Sequence, residues 1–189
     1  MDFLNSIILL TNFIIVPGIT YGSQLALGAI GVTLIYGVLR FANFAYGDLM
    51  AFGTMIVILV TWFLQSKGIT FGLLPTALLA LPVGILLTIA VSLFFDKTVF
   101  EYYRNKKSDP VTFIVVSLGI MFVLNAVVRI IIGPNDINFM DGHKFIMKAR
   151  EFKQMTGLNE GLALKSTQVI TLITTIITCS IPVSYTHLT

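Results

Sequence analysis

The sequence predicts an all-α fold: a polytopic transmembrane bundle of about five to six membrane helices. Three observations predict it. Of 189 residues, 56% are hydrophobic. Only 11% are charged, against roughly 25% in a soluble domain. The apolar residues also gather into runs of about 20, the length a helix needs to cross the hydrocarbon of a bilayer.

Five runs qualify, in order 19–39, 49–64, 73–95, 111–133 and 167–183. A sixth, residues 3–16, is apolar but short, and is expected to extend the first helix or to lie at the interface. Hydrocarbon offers the backbone no water, so each run must satisfy its own N–H and C=O groups, which a helix does. The first break, "LRFANFAYGDLM" (39–50), places an Arg, an Asn and an Asp between two apolar runs. Trp62, Tyr102 and Tyr103 suit interfacial anchoring. The segment 134–166 is polar with scattered apolar residues, and is expected to carry a short surface helix.

Lys and Arg orient such a bundle. The loop 96–110 carries Lys97, Arg104, Lys106 and Lys107 and is assigned to the cytoplasm. The segment 134–166 carries five basic residues diluted by Asp136, Asp141, Glu151 and Glu160, and is assigned to the opposite face. The net charge of +3 therefore reflects topology, and nucleic-acid binding is not expected. Cys179 is the single cysteine and lies in an apolar run, so no disulfide framework or metal-binding pair is expected. No Lys or Arg precedes Arg40, and Asp2 stands where a signal peptide would be basic, so the N-terminus is expected to be retained membrane structure. His143 and His187 belong to no catalytic or metal motif, and no P-loop is present. The chain is expected to be no enzyme and to hold no metal or cofactor. Its work is passage, or support of passage.

Small residues mark the first long helix. Gly18, Gly22, Ala26, Ala29, Thr33 and Gly37 recur at steps of three or four and form one narrow stripe for close helix packing. Gln24 is polar within this helix and is expected to face protein. In the break, Gly47 offers backbone freedom, and Asn43 or Asp48 can cap a helix. Two readings stand side by side. One is a tight interfacial turn. The other is a broken helix whose freed polar groups line a path. On these grounds Asn43, Gly47, Asp48, Gln24 and Asn125 are the candidates for a translocation path. Arg129, four residues after Asn125 on the same face, is expected to snorkel to the interface.

The stretch "GSQLALGAIGVTLIYGVLRFANFAYGDLMAFG" (22–53) resembles the N-terminal signature of permease subunits of branched-chain amino acid ABC transporters, the LivH type. Ala26, Ala29, Ile30, Gly31, Thr33, Tyr36, Gly37, Asn43, Phe44, Ala45, Gly47 and Asp48 match that signature; Tyr46 stands where the family has His. Further on, Tyr103-Arg104 stands where the family has Arg-Pro. The resemblance implies a multi-pass protein of the bacterial inner membrane, pairing with a second permease, two ATPase subunits and a periplasmic substrate-binding protein. ATP would act on the ATPases and not on this chain. It also implies that residues 1–183 are a partial transmembrane permease domain. Residues 184–189 look like an atypical tail, standing where the family has a cytoplasmic coupling segment. The competing expectations are a non-conducting membrane scaffold subunit and a secondary transporter or channel.

Overall fold

The computed structural model describes every residue except 1, 71, 73, 136–138, 140, 142–144 and 189, with the backbone alone for residues 2 and 181–188. Asp136 and His143 thus lie outside the described residues. The chain divides into two compact units, one built from 32–71 and 76–141, the other from 1–31, 72–75 and 142–189.

The first unit is helical throughout. It takes in the last turns of α2 (Val16–Leu39), then α3 (Tyr46–Ser66), α4 (Ala77–Phe95), α5 (Glu101–Asn105) and α6 (Pro110–Ile132). A π-helical stretch, Asp96–Phe100, joins α4 to α5 without a break. Residues 96–105 therefore prolong a 29-residue helical run from Ala77 to Asn105, where the sequence predicts a loop from 96 to 110. Residues 96–105 contain neither Gly nor Pro, so nothing in them breaks the helix. The run stops where Lys107 turns left-handed at φ 53° and Asp109 starts α6 with Pro110 in its first turn.

Helices α3 and α4 form an antiparallel hairpin in which the backbones approach closely. A β-carbon on Gly53 would stand 2.6 Å from Thr88 Oγ1. One on Gly84 would collide with Val57 and stand 3.3 Å from the Gly53 carbonyl. The loop end of this hairpin is tied by Asp141. Its Oδ1 accepts 2.9 Å from Gln65 Nε2 at the end of α3, and its Oδ2 accepts 2.9 Å from the Ala77 amide at the start of α4. The core of the unit is Phe41, Ala45, Phe100, Ile120 and Leu124. Rings of Phe41 and Phe100 lie 5.7 Å apart, and those of Phe41 and Phe113 5.2 Å apart.

In the second unit, α1 (Asp2–Leu10) runs through a π-helical stretch, Thr11–Ile15, into α2. Residues 3–16 therefore extend the first helix, one of the two expected outcomes. A short antiparallel pair, β1 (Phe145–Met147) and β2 (Leu164–Lys165), brackets α7 (Ala149–Thr156). α7 is the surface helix expected in this segment; the strands are not foreseen by the sequence. Asn12 stitches the segment to the N-terminal helix, donating 2.7 Å to the Gly161 carbonyl and accepting 3.1 Å from the Ala163 amide. Asn5, two turns earlier, accepts 3.3 Å from the Glu160 amide. Gly161 is required here, because a β-carbon would strike the Ala149 backbone.

Four described helical runs are long and apolar enough to cross a membrane: Phe3–Leu39, Tyr46–Ser66, Ala77–Asn105 and Pro110–Ile132. The fifth expected run forms α8 (Ser166–Leu188), whose apolar described part, Ser166–Ser180, is shorter than these. The backbone of α8 continues helically through residues 184–188 of the expected tail.

Candidate functional site: the break between α2 and α3

The chain leaves α2 through Arg40, which adopts a left-handed conformation at φ 61°. Its amide donates 2.9 Å to the Tyr36 carbonyl, closing the helix in the manner usually left to glycine. Asn43 then organises the entry to α3. Its Oδ1 accepts 3.1 Å from the Ala45 amide, and its carbonyl accepts 3.4 Å from the Tyr46 amide. Such a side-chain turn is a standard use of Asn ahead of a helix. Gly47 has a different place from the one its composition suggests. It lies inside the first turn of α3, and the left-handed residue of the break is Arg40.

Contacts with α6 fix the level of the break. Phe41 packs on Phe113, the Phe44 amide donates 3.1 Å to Ser117 Oγ, and Asp48 Oδ1 accepts 2.9 Å from Asn125 Nδ2. Residues 41 to 48 therefore run alongside α6 from 113 to 125. At 1.5 Å per residue, Ser117 stands about 10 Å along α6 from Pro110. The break thus sits within the length of α6 and not level with its end. Ser117 is fully buried, and its hydroxyl also donates 2.8 Å to the Ile114 carbonyl. Sequence reasoning misses this residue; a hydroxyl in an otherwise apolar run is its only signal.

Two of the predicted residues, Asp48 and Asn125, meet directly. The contact continues to Arg129, whose Nε donates 2.8 Å to Asn125 Oδ1. An acid and a base are thereby joined through one amide, with both ends of the amide used. Arg129 is exposed in this chain, and its guanidinium is held toward Asn125, so the expected snorkelling is not its only engagement.

Asn43 faces elsewhere. It lines a cavity of about 380 Å³ with Ser92 and Asp96 as the other polar groups and Leu34, Leu49 and Ile120 among the apolar ones. Asp96 is held bidentately by Arg104, at 2.7 and 2.9 Å. That pair spans the π-helical stretch and keeps the carboxylate oriented at the rim. The cavity is chiefly apolar with a few fixed polar groups, the usual character of a small-molecule site.

The remaining predicted residues are not gathered here. Gln24 is exposed on α2 in the other unit. The glycines of the small-residue stripe are open: beyond their own helix, nothing described lies within 4 Å of a β-carbon built on Gly18, Gly22 or Gly37. Ala26 and Ala29 are exposed too. The close backbone approach expected of α2 occurs instead between α3 and α4, at Gly53 and Gly84.

Comparison with known proteins adds an independent finding. The family described as "Branched-chain amino acid transport system / permease component" matches residues 14–183. The chain is similar to the high-affinity branched-chain amino acid transport system permease protein LivH of Escherichia coli, at 30% identity over 121 residues, covering 64% of this chain and 38% of that protein. LivH of Salmonella typhimurium is 28% identical over the same shares. BraD of Pseudomonas aeruginosa, a permease protein of the same description, is 38% identical over 55 residues, 29% of this chain and 18% of that one. The match to LivH therefore accounts for about two fifths of the relative's length, 38%. No solved structure matches the chain.

Proposed function

The chain belongs to the branched-chain amino acid transport permease family, and from that premise we propose that it forms part of the translocation path of an ABC importer for branched-chain or related amino acids. The observation that carries the reading is the level of the α2–α3 break. It lies within the length of α6, between a cavity lined by Asn43 and a polar chain from Asp48 through Asn125 to Arg129. Irregular backbone at membrane depth is tolerated where it is buried in protein or lines a cavity. A mostly apolar cavity suits an aliphatic side chain, and its fixed polar groups suit the charged end of an amino acid.

In this reading the chain does no bond-breaking. Energy enters from separate ATPase subunits, and a binding protein on the outer face of the bacterial inner membrane delivers the substrate. A second permease completes the path. Each access state is then favoured by the contacts that it alone makes. The loop side at Lys106–Asp109 faces the cytoplasm.

The test is uptake of a radiolabelled branched-chain amino acid in vesicles holding all partner subunits. Asn43→Leu and Asp48→Leu should each lower uptake while leaving membrane insertion unchanged. Uptake at the unsubstituted level in both variants would contradict a path role for the break and favour a scaffold subunit.

A further inference from the structure

Beneath the same break lies a second groove, of about 400 Å³, whose lining includes Val38, Arg40, Phe41, Arg104, Ser108 and Phe113. We propose that it holds the headgroup of an anionic phospholipid, independently of the transport reading.

The position of the groove is the first argument. Residues 106–109 join two helical runs that are each long and apolar enough to cross a bilayer, so this turn marks a membrane–water boundary. Phe113, in the groove wall, is one turn into α6, about 4.5 Å from Pro110. Arg40, next to Phe41 on that wall, thus stands at headgroup level.

Charge is the second. Arg40 is exposed, and among the described residues no acidic side chain forms an ion pair with it; the one ion pair found is Arg104 with Asp96. Arg104 is compensated, since both its terminal nitrogens engage Asp96. Lys106 and Lys107 occupy the adjoining turn. Setting Arg40, Lys97, Arg104, Lys106 and Lys107 against Asp96, Glu101 and Asp109 leaves a net charge of +2 around the groove. A phosphodiester carries the complementary charge, and the Ser108 hydroxyl is a neutral donor beside it. Basic pockets between membrane helices take such headgroups.

The third argument is the apolar half of the wall. Val38, Phe41 and Phe113 give a free phosphate ion nothing, whereas a lipid sets its glycerol and first acyl carbons there. The two left-handed residues also make the idea testable without disturbing the fold. Arg40 at φ 61° and Lys107 at φ 53° both hold conformations that glycine adopts freely.

Purified chain in detergent would be offered phosphatidylglycerol or phosphatidylcholine of identical acyl chains, and lipid retention followed by native mass spectrometry. Phosphatidylglycerol should be retained preferentially. Arg40→Gly and Lys107→Gly should each weaken its retention about five-fold, the effect of removing one cation near the headgroup. Arg40→Lys should keep it. Helical content by circular dichroism accompanies each variant. If Arg40→Gly loses helix, Lys107→Gly and Arg40→Lys decide. Equal retention of both lipids would overturn the proposal in favour of an apolar groove alone. Full displacement of phosphatidylglycerol by millimolar inorganic phosphate, or by an acidic peptide, would overturn it in favour of those ligands. Unchanged retention in both glycine variants would also overturn it.

Discussion

Asn125 donates to Asp48 across 77 residues of sequence, at 2.9 Å, and its amide oxygen accepts from Arg129 at 2.8 Å. This one amide couples an acid at the start of α3 to a base near the end of α6. Ionisable groups in a membrane helix are costly unless paired or facing a polar space, and here the pairing is built into the chain.

Removing either partner should therefore destabilise the other. Asp48→Ala and Asn125→Ala should each cost about 1 kcal/mol, the order expected when a hydrogen-bond partner is lost. Their coupling in a double-mutant cycle should be about 0.6 kcal/mol, the average measured between membrane helices. Unfolding in detergent micelles measures both. Strict additivity would mean that the bond contributes nothing to the packing of α3 on α6.

Arg40 should reveal the strain of the break. An L-residue in the left-handed region costs about 1–2 kcal/mol, so Arg40→Gly should raise the stability of the chain. Arg40→Ile, β-branched, should lower it. Thermal melting of the two variants beside the parent checks the sign. Equal melting temperatures would contradict the left-handed assignment.

Much of this was legible in the sequence, for physical reasons that differ by residue. Long apolar runs must be helices in lipid, so the helical class followed from composition. Asp48 and Asn125 stood out because polar side chains are rare in such runs. Their contact did not stand out, because periodicity within a helix carries no register between helices. The break is legible as a break, but its left-handed residue is not. Glycine is the usual left-handed residue, yet Arg40 takes that conformation while Gly47 stays helical. The extent of α4 was missed because a charged stretch, Asp96 to Asn105, reads as a loop when only hydropathy is followed. In the structure that stretch is helical, and Arg104 pairs with Asp96 along it.

Packing offers a sharper contrast. The stripe on α2 and the glycines of α3 and α4 look alike in sequence, but of their glycines only Gly53 and Gly84 would bring a β-carbon to contact distance of a neighbouring helix. Gly84→Leu should destabilise the chain by about 1–3 kcal/mol through overpacking against Val57. Gly22→Leu should leave its melting temperature unchanged and instead weaken association with the second permease. Melting in detergent and co-purification measure the two effects separately. Destabilisation by Gly22→Leu in the isolated chain would contradict the exposed placement of that face.

The account rests on the break being reached by water and substrate, and cysteine accessibility at Asn43 tests that most directly. In a Cys179→Ser background, with all transporter subunits in vesicles, Asn43→Cys should react with a membrane-impermeant thiol reagent in at least one nucleotide state. The transported amino acid should slow that reaction. Phe122→Cys, on the exposed face of α6, should stay inert as the lipid-facing control. Failure of Asn43→Cys to react in every state, like Phe122→Cys, would contradict the central claim and leave the break a structural bend.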